Sequence, residues 1–171
     1  QLLGGLAPEL ASFSMPSQIA VGQTTISKAL NWKLANDTFG ETYHFGKLHK
    51  DTLGRLYYGN NLHFAEFGRH HRFVTANHGM EAMRKLPESE WDIARCTFVL
   101  YHLFPNVQLI TSRFSTTLIR IYPDKDNPGR STTQISFYFA PELAEEANDV
   151  GDSPAQKADA YSFEQERASL S

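Results

Sequence analysis

Apolar and polar residues alternate from Leu30 to Leu34, which predicts a strand over 24–34 carrying Ile26, Leu30, Trp32 and Leu34. Ala35-Asn36-Asp37 follows. Either Asn36 or Asp37 can accept from the free N–H groups of a following helix, which places a helix from about Thr38, with Gly46 near its break and Gly54 after it. Residues 1–22, with Gly4, Gly5, Pro8, Pro16 and Gly22, read as turn-rich structure, and 1–23 as a linker docked onto a domain spanning 24–171.

Tyr57 to Asn61 reads as a turn, and Phe64, Phe67, Phe73 and Val74 as strand positions. A short helix is expected near Glu81–Lys85. Val107–Ile110, Ser115–Tyr122 and Thr132–Phe139 read as strands, with a hairpin loop over 124–130. A polar loop over 148–154 and a helix from Ala158 complete the chain. Strands dominate and helices are few, so the class is α+β with a mainly antiparallel sheet.

Composition narrows the function. The chain has 171 residues, 41% hydrophobic and 12% aromatic, enough for a substantial core or an apolar pocket. Its net charge of −3 disfavours nucleic acid as a partner. No apolar run reaches the roughly 18 residues of a membrane helix, and no signal-peptide pattern stands at the start. The single cysteine, Cys96, excludes an internal disulfide and an iron–sulfur cluster ligated by this chain alone. A reduced, cytoplasmic setting is the default expectation, with Cys96 a buried inert thiol. Both ends read as cuts through a larger protein.

The informative stretch is Asn31-Trp-Lys-Leu-Ala-Asn-Asp37-Thr-Phe-Gly-Glu41-Thr-Tyr43-His44-Phe-Gly-Lys-Leu-His49. The two histidines stand five positions apart, a turn of about 500° that leaves them about 140° apart on a straight helix. They make a metal pair only if the helix loosens or ends between them, which Gly46 allows. Glu41 is either a direct ligand or a group that orients His44. Two imidazoles and a carboxylate with open positions suit non-heme Fe(II) and oxygen chemistry. Against this stands the plain reading of two hydrogen-bonded histidines and a solvated glutamate.

This stretch resembles the catalytic domain of the large (alpha) subunit of the Rieske non-heme iron ring-hydroxylating oxygenases. There an Asn-Trp-Lys strand leads to a helix with an acidic residue, one variable position, Tyr-His and a second His. Gln1 to Leu10, Tyr101-His-Leu-Phe104-Pro105-Asn106, the Pro123 loop and the Ser131–Phe139 strand extend the resemblance. The resemblance implies a helix-grip fold (START/Bet v 1-like), an antiparallel sheet around a C-terminal helix that is truncated in this chain. It implies mononuclear Fe(II) on His44 and His49, with Glu41 bridging electrons to the iron histidine. Asp37 and Tyr43 would support the ligands, and Phe39, Phe45, Phe104 and Asn106 would line a substrate pocket.

The implied substrate is a small apolar ring oxidised with O2. Electrons would come from NAD(P)H through a reductase, with or without a ferredoxin, and a Rieske 2Fe-2S cluster on a separate N-terminal domain. The implied assembly is a homo-trimer or hetero-hexamer. The Cys-x-His and Cys-x-x-His pairs of that cluster are absent from this chain, and the third iron ligand, a carboxylate, is expected beyond Ser171. Glu41 stands where the family often has Asp.

Other patterns are weaker. Glu41-x-x-His44 also fits a di-iron bundle, but the strand content opposes a bundle. His63, His70, His71 and His78 read as surface or pocket-mouth histidines. The rival to the enzyme is a helix-grip module that binds an apolar ligand without metal.

Overall fold

A computed structural model of the chain describes residues 2–112, 114–141 and 143–144. Among them, seven strands form one antiparallel sheet: β1 Ile19–Lys28, β2 Tyr57–Phe67, β3 His70–Asn77, β4 Thr97–Leu103, β5 Val107–Thr111, β6 Ser115–Pro123 and β7 Ser131–Phe139, in the order β1-β7-β6-β5-β4-β3-β2. Four short helices accompany it: α1 Ala7–Ser12, α2 Trp32–Thr38, α3 Leu53–Leu56 and α4 Met80–Met83. The α+β class is that expected. The polar loop at 148–154 and the C-terminal helix, with Glu164 and Glu166, lie outside the described residues.

The sheet uses both faces. Along β4, Tyr101 joins Leu6, Leu10 and Leu109 in a cluster that buries α1 and the turn before it. The alternation of a strand sends Leu100 and His102 to the other face. There α2 packs Ala35 against Ile119 and Ile121, with Trp32 and Phe39 around them.

Residues 2–18 are therefore docked helical structure rather than bare turns. Leu6 is sealed, and Glu9 is held by Arg72 Nη1 at 2.5 Å and by the Tyr101 hydroxyl at 2.6 Å. Burial pushes the Glu9 carboxyl up, but these hydrogen bonds and the Arg72 charge outweigh it and hold it below the ordinary carboxylate range.

Two local expectations are corrected. Trp32 to Leu34 is not strand but the first turn of α2; the strand starts earlier, at Ile19, and ends at Lys28. The helix cap is Asn31, whose Oδ1 accepts from Lys33 N at 2.9 Å while its Nδ2 donates to Pro128 O at 2.8 Å. The alternation of Leu30, Trp32 and Leu34 is too short to separate period two from a helical stripe, and Trp32, Ala35 and Phe39 make one such stripe. The helix ends at Thr38 instead of beginning there.

Tyr57 to Asn61 is not a turn but the start of β2. The turn-type residues Gly59, Asn60 and Asn61 mark an irregularity between the Tyr57 and Leu62 pairings with β3.

Candidate metal centre

Beyond α2 the chain does not continue as a helix. Thr42 caps a single 3-10 turn over Tyr43–Gly46, and Leu48 N donates to His44 O at 2.7 Å. The helix expected from Thr38 is thus replaced by a compact loop, whose 3-10 turn ends at Gly46, between the two histidines, where a break was expected. The loop resolves the spacing problem: freed from the 100° step of a helix, the two imidazoles meet with ring centres 5.3 Å apart.

Three contacts hold this loop. Phe45 is buried with Leu56 and Tyr57, and Phe98 packs on them. Thr42 Oγ1 donates to Gly59 O at 2.8 Å. That carbonyl sits in the irregular stretch of β2, where the ladder leaves it for a side chain. At Gly54 an added Cβ would stand 2.5 Å from Phe45 O and 3.0 Å from His49 O, so the loop closes on a position that tolerates no side chain.

Glu41 Oε1 lies 2.5 Å from His44 Nδ1, and its Oε2 accepts from His44 N at 3.2 Å. Burial pushes the Glu41 carboxyl up, yet the His44 side chain and backbone bonds outweigh it and hold it low. An ionised carboxylate makes Nδ1 the protonated nitrogen, which leaves Nε2 of His44 as the free lone pair.

The spacing of the two rings fits two imidazoles on one ion. An imidazole bound at about 2.1 Å has its ring centre about 3.2 Å from the ion, so two rings on one ion at about 90–110° have centres about 4.5–5.3 Å apart. The His44–His49 separation lies within that span. Glu41 is spent on His44. Among the described residues no group of three His, Cys, Asp or Glu converges.

The other expected residues are dispersed. Phe45 stacks edge-on against both histidines, with ring centres 5.0 and 6.2 Å away. Tyr43 is 81% exposed, and its backbone N–H bonds Glu41. Asp37 is exposed at the end of α2, and Phe39 packs toward the Ile119 cluster. Asn106 donates to Ile121 O at 2.8 Å.

Phe104 stands apart. It follows β4 six residues after Phe98, about 20 Å along a strand. It lines an open pocket of about 400 Å³ with Leu2, Gly5, Phe67, Arg69 and His70. His70 is buried rather than a surface residue: Nε2 bonds Leu2 O at 2.8 Å, and Nδ1 accepts from Phe104 N at 3.1 Å. Cys96 is buried, and burial raises its thiol.

The sequence marks Gly54 only as a helix stop, and singles out neither Thr42 nor a polar cluster of His71, His102 and Gln108. The signal for the cluster was legible: Gln108 is a lone amide in the apolar run Val107-Gln-Leu-Ile.

Comparison with known proteins now decides the family. The model of the ring hydroxylating alpha subunit (catalytic domain) matches residues 19–167. The chain belongs to that family. No curated protein matches it. Solved structures of the same fold include the quaternary ammonium Rieske monooxygenase CntA with an inhibitor, at TM-score 0.68 and 14% identity, covering 99% of this chain and 43% of that one. A second CntA structure, described for carnitine oxidation by gut microbiota and inter-subunit electron transfer, gives TM-score 0.64 at 14% identity, covering 99% and 46%. A third, with L-carnitine, gives 0.60 at 14%, covering 99% and 45%. The chain therefore spans less than half the length of these solved structures. No described helix is long and apolar enough to cross a membrane.

Proposed function

We propose that this chain is the substrate-oxidising part of an iron-dependent oxygenase. His44 and His49 hold a mononuclear Fe(II), and Glu41 fixes His44. The observation that carries the reading is the Glu41–His44 bond at 2.5 Å beside a second imidazole whose ring centre is 5.3 Å away. Family membership over residues 19–167 supports iron over other metals.

Bound iron supplies the activation of O2 for insertion into an organic substrate. The protein's own part is positional. Glu41 keeps the proton on Nδ1, so Nε2 would be the lone pair offered to the ion, and Phe45 covers one side of both rings. Phe98 packs on the buried rings of Phe73 and Tyr57 beside the loop, and its half-buried face is the apolar surface offered to a small ring.

Electrons come from NAD(P)H through a reductase, and a ferredoxin where one is used, to a Rieske 2Fe-2S cluster outside this chain. Glu41 would be the carboxylate that links that cluster to the iron histidine. The assembly is a homo-trimer or hetero-hexamer, and the setting is cytoplasmic. A carboxylate beyond the described residues completes the ligand set.

The test is anaerobic Fe(II) titration with metal analysis, followed by O2-dependent product formation in the assembly that supplies the Rieske cluster, with a reductase. One iron per chain that disappears in His44→Ala and His49→Ala sustains the reading. A protein that binds an apolar ligand and takes up no iron is the metal-free module instead.

A further inference from the structure

The sheet face that carries the His44 loop also carries a polar cluster. On β3 and β4, His71 and His102 are register partners with rings stacked 4.6 Å apart at 14°. Phe64 of β2 lies against His71, with ring centres 4.9 Å apart. From β5, Gln108 Nε2 donates to His102 Nδ1 at 2.7 Å and to Asn36 Oδ1 of α2 at 2.9 Å. Asn36 Nδ2 in turn donates to Trp32 O at 3.0 Å.

This chain of bonds has a direction. The α2 backbone orients Asn36, Asn36 orients the Gln108 amide, and the amide N–H fixes His102 Nδ1 as an acceptor. The His102 proton is therefore on Nε2. No described residue accepts from that N–H, and His102 is only half-buried. Gln108, 1% exposed, also has its Oε1 without a donor. Among the described residues the cluster thus keeps one half-buried donor, His102 Nε2–H, and one buried acceptor, Gln108 Oε1, without a partner, and a buried acceptor is rarely left so.

Placement relates the cluster to the metal loop. Phe98, against which that loop packs, and His102 are both on β4 and four residues apart, on the same face and about 13 Å distant. A molecule anchored at His102 therefore lies on the face that the metal loop shares.

The charge around the cluster selects among ligands. Burial keeps both imidazoles neutral at neutral pH, lowering His71 and His102. Glu66 is the register partner of His71, the Asp37 charge acts on His102, and His70 acts on both imidazoles. Two carboxylates beside neutral rings repel an anion and leave a neutral group favoured.

We propose that His102, held by Gln108 and stacked on His71, is a specificity-determining donor that recognises a neutral hydroxyl or amide group of the substrate. Its partner group lies at the end of the molecule remote from the metal loop. This rests on the reading of the chain as an oxygenase, because it assigns the bound molecule to that site. The substrate class is then an apolar molecule with one neutral, hydrogen-bonding oxygen at its far end, not a hydrocarbon and not a carboxylate.

Benzamide, benzoate and toluene share a ring and differ in this group. Calorimetric titration of the protein with each should give benzamide an affinity about tenfold above toluene, one hydrogen bond's worth, with benzoate no better than toluene. His102→Phe keeps the stack and should abolish the preference; His102→Gln restores a neutral donor and should recover part of it. Imidazole 15N shifts of the unsubstituted protein should show the Nε2–H tautomer at His102, moved by benzamide and not by toluene. Equal affinities, a preference that survives in His102→Phe, or an Nδ1–H tautomer overturns the proposal. Iron content measured on the same samples separates the two readings. Iron-loaded protein without discrimination sinks this proposal alone, and discrimination in a protein that takes no iron sinks the oxygenase reading alone.

Discussion

Glu41 and His44 are joined twice, once between carboxylate and imidazole and once between carboxylate and the His44 backbone N–H. The two bonds fix both the ring and its stem, and on the proposed reading they leave Glu41 behind the ligand histidine rather than on the ion. Glu41→Gln should then still reach one iron per chain at saturating Fe(II), with affinity lowered about 10–100-fold, as is usual when a carboxylate behind a ligand histidine is changed. Product formation should fall further than affinity does. Complete loss of iron would make Glu41 a ligand.

His44→Ala and His49→Ala should each remove most bound iron while leaving the sheet intact. His49 is exposed, and His44 shares its turn with Phe45, which supplies the packing. Far-ultraviolet circular dichroism should be unchanged while metal analysis reports the loss. Equal iron in both variants would refute the assignment.

Gly54→Ala tests the loop without touching a ligand. Its new methyl would meet two backbone carbonyls, which cannot swing aside as a side chain would. A stability loss of about 1–3 kcal/mol is expected in denaturant unfolding, together with weaker iron binding. Unchanged iron affinity would mean that the loop spacing is not set there.

The pH dependence of stability should carry the signature of Glu9. Its folded carboxyl is held low, so the unfolded chain binds the proton more readily. Its contribution is therefore complete above the ordinary carboxylate range and is lost as pH falls through the lowered folded value. Melting temperature followed from about pH 6 to about pH 3 should drop less steeply in Glu9→Gln than in the unsubstituted protein. Parallel profiles would show that Glu9 contributes no pH-dependent stability.

The sheet was legible because β5, β6 and β7 have apolar strand-length runs ended by Pro, Asn, Asp and Gly. The site was legible in part. Glu41, His44 and His49 were picked out by residue type and spacing, but they were read onto a helix, because nothing local says that a chain capped at Asn31 stops at Thr38. Tertiary contacts make that decision: Phe45 finds Tyr57 and Phe98, and Thr42 finds Gly59. The stacked His71–His102 pair depends on strand register between β3 and β4, which no single segment encodes.

The irregular stretch of β2 frees the Gly59 carbonyl that Thr42 takes, so the loop and the sheet edge are thermodynamically linked. Reciprocity follows. An ion that steadies His44 and His49 must also steady the Tyr57–Leu62 edge, and anything that grips that edge must tighten the hold on the ion by the same factor. Amide hydrogen exchange at the sheet edge thus becomes a remote gauge of occupancy at a site that those amides never touch.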